Sequence, residues 1–210
     1  MIPASARLLS LLLMVAACGP SPIHKETVMA GPQHSGEAIS ILKVRPMQAG
    51  QDMAVNSDAI GADGAIADRH SAYHDNVSPP LTWTRVEGAK AYAVIVEDPD
   101  APREQPFVHW LAWNIPQDIT RLPEGLPAEP RLVSPQGMVQ GRNDDGGHGW
   151  FGPRPPPGHG PHRYHIQVFA LARPLDMESD APLRDIVQAL KGDTLADGEV
   201  VGTYEAPLSQ

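Results

Sequence analysis

Proline is the residue that most restricts what this chain can fold into. The sequence contains 23 prolines in 210 residues, about twice the usual share of roughly 5%. Proline fixes φ and has no backbone N–H, so it interrupts helices and the interior of sheets. Hydrophobic residues still make up 41% of the chain, which is enough to form a core. The sequence therefore predicts a mainly β fold with many loops and few helices.

Four apolar segments have the length and composition of strands. They are rich in β-branched and aromatic residues and lie at 91–97, 108–116, 164–171 and 199–206. Because they alternate little with polar residues, they are typical of a sheet that is covered on both faces. We expect further strands at 38–44 and near Met53–Val55, and a bulge at Gly202.

One amphipathic helix is predicted over 180–192. Its apolar residues follow the helical spacing i, i+3, i+4, i+7 at Leu183, Ile186, Val187 and Leu190. Pro182 falls in the predicted first turn and Gly192 just past the predicted end. The helix should therefore pack on the sheet late in the chain.

The N-terminus indicates a targeting signal. Arg7 precedes an apolar run and then small residues that end at Cys18, the only cysteine. The stretch "VAAC" resembles the lipobox of bacterial lipoproteins, in which the cysteine is acylated after cleavage; the alternative is a secretory signal with an incidental cysteine. We expect a lipoprotein signal peptide at 1–17, a flexible tether at 18–36 and one domain at 37–210.

This signal predicts a lipid-anchored protein that faces the periplasm of a bacterial cell envelope. Gly19 follows the cysteine, and by resemblance to lipoprotein sorting rules the absence of aspartate there favours the outer membrane. The formal net charge is −9 and no basic stripe is present, so no nucleic-acid partner is expected. A local anion site remains compatible with this charge, because a few donors dominate at short range.

Most familiar catalytic motifs are missing from the sequence. It holds no G-x-S-x-G, no G-x-x-x-x-G-K-[ST] and no H-E-x-x-H. The histidine spacing matches no familiar zinc pattern. We therefore expect no cofactor and no metal, and we assign no catalytic residue.

Polar side chains at the strand ends are candidates for a site, and each has an ordinary alternative. Asp98 and Asp100 follow the strand 91–97, but aspartate is also a common turn residue. His109 lies in a tryptophan-rich strand and could be a hydrogen-bonded core histidine. Strict alternation places it on one face with Leu111 and Trp113.

The loop before the strand 164–171 concentrates prolines, glycines and histidines. His162 and Tyr164 are two residues apart, so they share one face and could donate to an anion; Arg163 and His165 share the other face. His148 and His159 flank the loop and are expected to be exposed.

Five motifs in order resemble the phosphatidylethanolamine-binding protein family, and more narrowly its bacterial Raf-kinase-inhibitor-like branch. They are "NVSPPLTW", "EDPDAP", "HWLAWNIP", "GPRPPPGHGPHRY" and "VGTYE", between residues 76 and 205. The resemblance implies a central β-sheet flanked by a smaller sheet and a helix near the C-terminus. It also implies a small pocket for phosphate-like anions or phospholipid headgroups.

The resemblance assigns ligand-binding roles by position. Asp98, His109, His162 and Tyr164 match pocket-lining residues. Asp100 and Pro102 match the loop that frames the pocket, and Gly152 matches a glycine-rich wall whose N–H groups could approach an anion. Arg154 departs from the family, which usually has a small residue there. We expect it to point outward; pointing inward, it would add an anion donor or fill the pocket.

Three functions follow as hypotheses. The first is an envelope-anchored, non-enzymatic binding protein for a phosphate-like or phospholipid-headgroup ligand. The second is a modulator of a protein partner, of the kinase-inhibitor or protease-inhibitor kind. The third is a hydrolase that uses Asp98, His109 and His162 for acid–base chemistry, although the sequence offers no obvious nucleophile.

Overall fold

The computed structural model describes residues 53–207, and these form two antiparallel sheets and one α-helix. The strands are β1 (Val55–Asn56), β2 (Leu81–Trp83), β3 (Ala91–Asp98), β4 (Phe107–Pro116), β5 (Arg121–Leu122), β6 (Val139–Gln140), β7 (His162–Leu171) and β8 (Thr194–Tyr204). The helix α1 is Leu183–Asp193, and a short 3-10 helix lies at Asp68–His70. The strand predicted at 38–44 lies outside the described residues.

The large sheet has the order β6-β4-β3-β7-β8, and the small sheet has the order β1-β2-β5. One face of the large sheet packs on the small sheet, with Val94 and Ile166 meeting Leu81 and Leu122 in one buried cluster. The other face packs against α1 in a second cluster. Every residue of β3 is buried. The predictions of a mainly β fold and of a doubly covered central sheet are confirmed.

The helix differs from its prediction at both ends. Pro182 is its N-cap rather than part of its first turn, and Gly192 lies inside it. The Thr194 hydroxyl donates to the carbonyl of Leu190 at the helix end, and β8 begins at that same threonine. The last strand is therefore longer than the predicted 199–206. Within residues 53–207, no helix is long and apolar enough to cross a membrane.

The bulge expected at Gly202 is absent. β7 pairs with β8 in regular register across Gly202, so no bulge lies there. A Cβ at this position would lie 2.6 Å from Cγ1 of Ile66, so the glycine is needed for close packing. The bulge that matters lies in β4, where Val96 pairs with Trp110 but Glu97 pairs with Val108.

Candidate functional site

The β4 bulge brings His109 to the face where Asp98 ends β3. Val108 and Leu111 belong to the helix-side cluster and Trp110 to the opposite one. His109 contacts Tyr164 with ring centroids 5.0 Å apart, so it points to the same face as Trp110. The strict alternation that paired His109 with Leu111 was therefore wrong. An extra residue in one strand re-aims the side chain, which is a common use of bulges near functional sites.

Asp98 and His162 form a buried pair where β3 ends and β7 begins. The Nδ1 of His162 lies 2.8 Å from Oδ2 of Asp98, and both residues are at most 3% exposed. The other oxygen, Oδ1, accepts the backbone N–H of Asp100 at 2.9 Å. Asp98 therefore acts both as a turn former and as the partner of a buried imidazole. Since a carboxylate can only accept, the ring proton of His162 is on Nδ1.

The carboxylate of Asp100 is bonded to Arg163 rather than to His162. Arg163 donates to it through Nε at 2.8 Å, Nη2 at 2.7 Å and the backbone N–H at 2.9 Å. Burial alone would raise the pKa of Asp100, but the hydrogen bonds and charge of Arg163 outweigh burial and lower it. Asp100 therefore ties the loop after β3 to the start of β7.

His109 is held in one tautomer. Its Nδ1 lies 2.6 Å from the carbonyl oxygen of Phe151, and a carbonyl can only accept, so Nδ1 carries the proton. Burial lowers the pKa of His109, against the opposing effect of the Phe151 carbonyl and the Asp98 charge. The ring is therefore neutral near pH 7, and its Nε2 offers a lone pair rather than the N–H predicted from sequence.

Tyr164 lies beneath His109 and is fully buried. Its hydroxyl has no hydrogen bond of ordinary geometry, although the backbone of Arg154 is near enough to lower its pKa slightly. Burial, followed by the Asp98 charge, raises the pKa of Tyr164 far above its usual value. The phenol therefore stays protonated, and Tyr164 supports His109 from below the pocket.

The proline-rich wall offers few backbone donors. Four of the seven residues between Phe151 and Pro157 are prolines. The N–H of Phe151 donates to the His109 carbonyl, and the N–H of Gly152 donates to Oδ1 of Asn76 at 2.7 Å. The predicted use of Gly152 and its neighbours as N–H donors to an anion is therefore not supported by their hydrogen bonds.

Gly152 has a structural role instead. A Cβ on this residue would lie 2.2 Å from the backbone oxygen of His70, so only glycine lets the wall pack against the 70–72 segment. The Tyr73 hydroxyl donates to the Pro155 carbonyl at 2.7 Å and secures the wall from the same side. The glycine and the prolines together make a rigid wall.

Arg154 lies at the mouth of the site and is exposed. Its guanidinium lies 6.0 Å from the ring centroid of Tyr73, which fits a weak cation–π contact. Among the described residues, no carboxylate forms an ion pair with it. Arg154 is therefore exposed to solvent, as the expected outward orientation requires. It also lines the pocket, as the inward alternative requires.

These side chains surround a pocket of about 130 Å³. Of the residues predicted from sequence, Asp98, Pro102, His109, Arg154 and His162 line it. Three predicted residues do not line it. Asp100 lies beside the pocket, Gly152 lies behind its wall and Tyr164 lies beneath it. Sequence reasoning missed the apolar part of the lining, which consists of Ala101, Phe107, Phe151, Pro155 and Pro156. Phe107, two residues before His109, and Phe151, directly before Gly152, were the available signal.

Two histidines outside the predicted set differ from each other. His159 is exposed as expected, yet its Nδ1 lies 3.0 Å from Nε2 of His162. His148 is only half-buried rather than exposed, and its Nε2 lies 3.3 Å from Asp180. No group of three or more His, Cys, Asp or Glu side chains within residues 53–207 is arranged to hold a metal ion.

The fold and the pocket define a mainly β domain with a small ligand-sized cavity at one end of its central strands. A family model described as phosphatidylethanolamine-binding protein matches residues 56–205. A UPF0098 protein of Pyrococcus abyssi is 41% identical over 160 residues, which cover 74% of this chain and 87% of the relative. The chain therefore belongs to the phosphatidylethanolamine-binding protein family.

Solved structures agree with this assignment. The crystal structure of Escherichia coli YbcL, described as a new member of the mammalian PEBP family, aligns with a TM-score of 0.68 and 35% identity. The alignment covers 75% of this chain and all of that chain, 100%. A putative phosphatidylethanolamine-binding protein homolog, CT736 of Chlamydia trachomatis, aligns with a TM-score of 0.64 and 28% identity, over 75% of this chain and 100% of that one.

Proposed function

We propose that this protein is a non-enzymatic binding protein, anchored in a bacterial envelope, whose pocket takes a phosphate-type group that carries its own hydrogen-bond donor. The observation that supports the proposal most is the complementary pair of groups in the pocket. Arg154 supplies a cation without a carboxylate partner among the described residues, and His109 supplies a neutral acceptor nitrogen.

The ligand chemistry follows from these two groups. A guanidinium pairs with two anionic oxygens of a phosphate through parallel N–H donors. The Nε2 of His109 needs an N–H or O–H from the ligand, which an ammonium group or a singly protonated phosphate provides. Asp98, paired with His162, adds negative charge on the same side. A phosphoethanolamine headgroup meets both requirements, and inorganic phosphate meets them only in its protonated form.

The apolar lining favours a ligand with a carbon chain next to its phosphate. Phe107 lies 4.7 Å from His109 between ring centroids, and Phe151 lies 5.9 Å from both of these rings. The volume of about 130 Å³ is well below the roughly 300–1,000 Å³ of clefts that take drug-sized ligands. It therefore suits a headgroup better than a whole lipid.

The same lining argues against covalent catalysis. The described residues around the pocket include no serine, threonine, cysteine or lysine. The groups left as nucleophiles are the two imidazoles and Asp98, whose two oxygens already accept from His162 and from the backbone of Asp100. A hydrolase would have to use one of these occupied groups or water activated by His109. Absence of turnover across a panel of phosphate and carboxylate esters agrees with binding alone, and sustained turnover that is lost in His109→Gln contradicts it.

The test of the proposal is calorimetric titration of the full chain with phosphoethanolamine, inorganic phosphate and ethanolamine. We expect phosphoethanolamine to bind best and Arg154→Ala to weaken it about tenfold, because a charge-assisted hydrogen bond contributes about 1.5–3 kcal/mol and Arg154 is exposed. Arg184→Ala is the matched control, because that arginine lies exposed on α1. Equal affinity of the Arg154→Ala variant and the control for phosphoethanolamine would overturn the proposal.

A further inference from the structure

His162 lines a second cavity in addition to the pocket. His159 and His162 both line an open groove of about 430 Å³, together with Asp100, Pro161, Arg163 and Thr203. The two ring nitrogens that face each other, His159 Nδ1 and His162 Nε2, are 3.0 Å apart. The anion-binding proposal does not use this pair of nitrogens.

His162 is prepared to act as a metal ligand. Its Nδ1–H is committed to Asp98 at 2.8 Å, so the lone pair of the neutral ring is on Nε2. A carboxylate that accepts from the far nitrogen of a histidine is the usual support of an imidazole that binds a metal, because it fixes the tautomer and the ring orientation. Since both members of this pair are buried, Nε2 has one fixed direction.

His159 supplies a second nitrogen at chelating distance. Two imidazole nitrogens on a tetrahedral zinc ion, each about 2.0–2.1 Å from the metal, are about 3.3 Å apart. The observed 3.0 Å therefore needs the nitrogens to separate by a few tenths of an ångström and the His159 ring to turn, so that both lone pairs point to the metal instead of at each other. His159 can move this far because it lies between Gly158 and Gly160, at φ values of 79° and 84°, and a Cβ on either glycine would meet nothing within 4 Å.

We propose that His159 and His162 form a binding site for a divalent transition-metal ion, with Asp98 as the positioning residue for His162. Zn²⁺, Ni²⁺ and Cu²⁺ suit imidazole ligands. Binding requires the proton of neutral His159 to move from Nδ1 to Nε2, which an exposed side chain allows. With two protein nitrogens, the remaining coordination positions open to water in the groove, so the site exchanges its ion readily.

The test is titration of the untagged full chain with Cu²⁺ and with Zn²⁺ alone, in buffer free of phosphate. Calorimetry gives the affinity, and electron paramagnetic resonance of the Cu²⁺ form reports how many imidazole nitrogens bind. We expect His159→Ala to remove one ion per chain and the two-nitrogen signal. His148→Ala is the matched control, because His148 lies beside Asp180 and does not line the groove.

His159→Ala is the decisive variant because His159 is exposed, and its loss should leave the fold intact. We expect Asp98→Asn to weaken Zn²⁺ binding by about 10–100-fold, as loss of a supporting carboxylate typically does; circular dichroism checks that this variant is folded. If Zn²⁺ and Cu²⁺ bind to His159→Ala as they bind to the native chain, the proposal is wrong, and the contact between the two rings is an ordinary hydrogen bond.

Discussion

At the scale of residues, the site is defined by which atom of each side chain is already occupied. His109 gives its Nδ1–H to Phe151, His162 gives its Nδ1–H to Asp98, and Asp100 is held by Arg163. Because of these bonds, His109 presents an acceptor nitrogen to the pocket. From the residue types alone, His109 and His162 were both candidate donors. The motifs located the pocket residues in the sequence, but hydrogen bonds between distant segments determine their roles.

The neutral state of His109 makes stability depend on pH. Burial lowers its pKa in the folded protein below the ordinary value of 6.5, so the unfolded chain binds this proton first. The contribution to stability is complete above pH 6.5 and is lost as the pH falls from there towards the folded-state pKa. If the pKa of a group differs by one between the folded and the unfolded chain, the free energy of unfolding changes by about 1.4 kcal/mol.

Between pH 7.5 and pH 5.5 we therefore expect the His109→Gln variant to lose about 1 kcal/mol less stability than the native protein loses. Urea unfolding of both proteins at the two pH values measures this difference. A change in stability that the substitution causes equally at both pH values cancels from it. Nuclear magnetic resonance of the His109 ring provides a second measurement, because the ring should remain neutral below pH 6.5. Equal pH dependence in the two proteins would contradict this assignment.

At the scale of elements, the sequence predicted the kinds of structure better than their irregularities. Apolar runs predicted β3, β4 and β7 to within two residues, because burial on both faces leaves a clear hydrophobic signal. The bulge at His109 left no such signal, since it depends on the pairing of β4 with β3. Gly202 gave a false signal for the same reason: a glycine can mark a bulge or a close approach, and only the neighbouring segment decides.

This close approach predicts an asymmetry between two glycines of β8. A Cβ at Gly202 meets the side chain of Ile66 at 2.6 Å, whereas a Cβ at Gly198 meets the backbone oxygen of Met53 at 2.0 Å. We expect each change to alanine to lower the free energy of unfolding by about 1–3 kcal/mol, as overpacking usually does. The cost at Gly202 should shrink in an Ile66→Ala background, because that side chain is then absent.

Chemical unfolding of the four proteins in each double-mutant cycle measures this coupling. Ile66→Ala should relieve Gly202→Ala and leave the cost of Gly198→Ala unchanged. Equal costs of Gly202→Ala in the two backgrounds would mean that Ile66 does not determine the need for glycine there.

At the scale of the whole molecule, the proposed function combines a ligand-binding domain with an anchor. The family match begins at residue 56, so the predicted signal and tether at 1–36 precede the matched region. A pocket sized for a headgroup gains from a membrane anchor, because tethering keeps the domain at the surface where phospholipid headgroups are concentrated. The sequence predicts this anchor from the signal-like segment 1–17, with Cys18 as the residue that would carry the lipid.

Removing that residue tests the anchor separately from the pocket. We expect Cys18→Ser, expressed in a bacterium with a lipoprotein pathway, to shift the chain from the membrane fraction to the soluble fraction, because the thiol that accepts the lipid is gone. Labelling with a radioactive fatty acid should mark the native chain and not the variant. Phosphoethanolamine binding should be the same in both, because Cys18 precedes the matched domain. A variant that stays in the membrane fraction would show that the chain is held there by something other than lipid on Cys18.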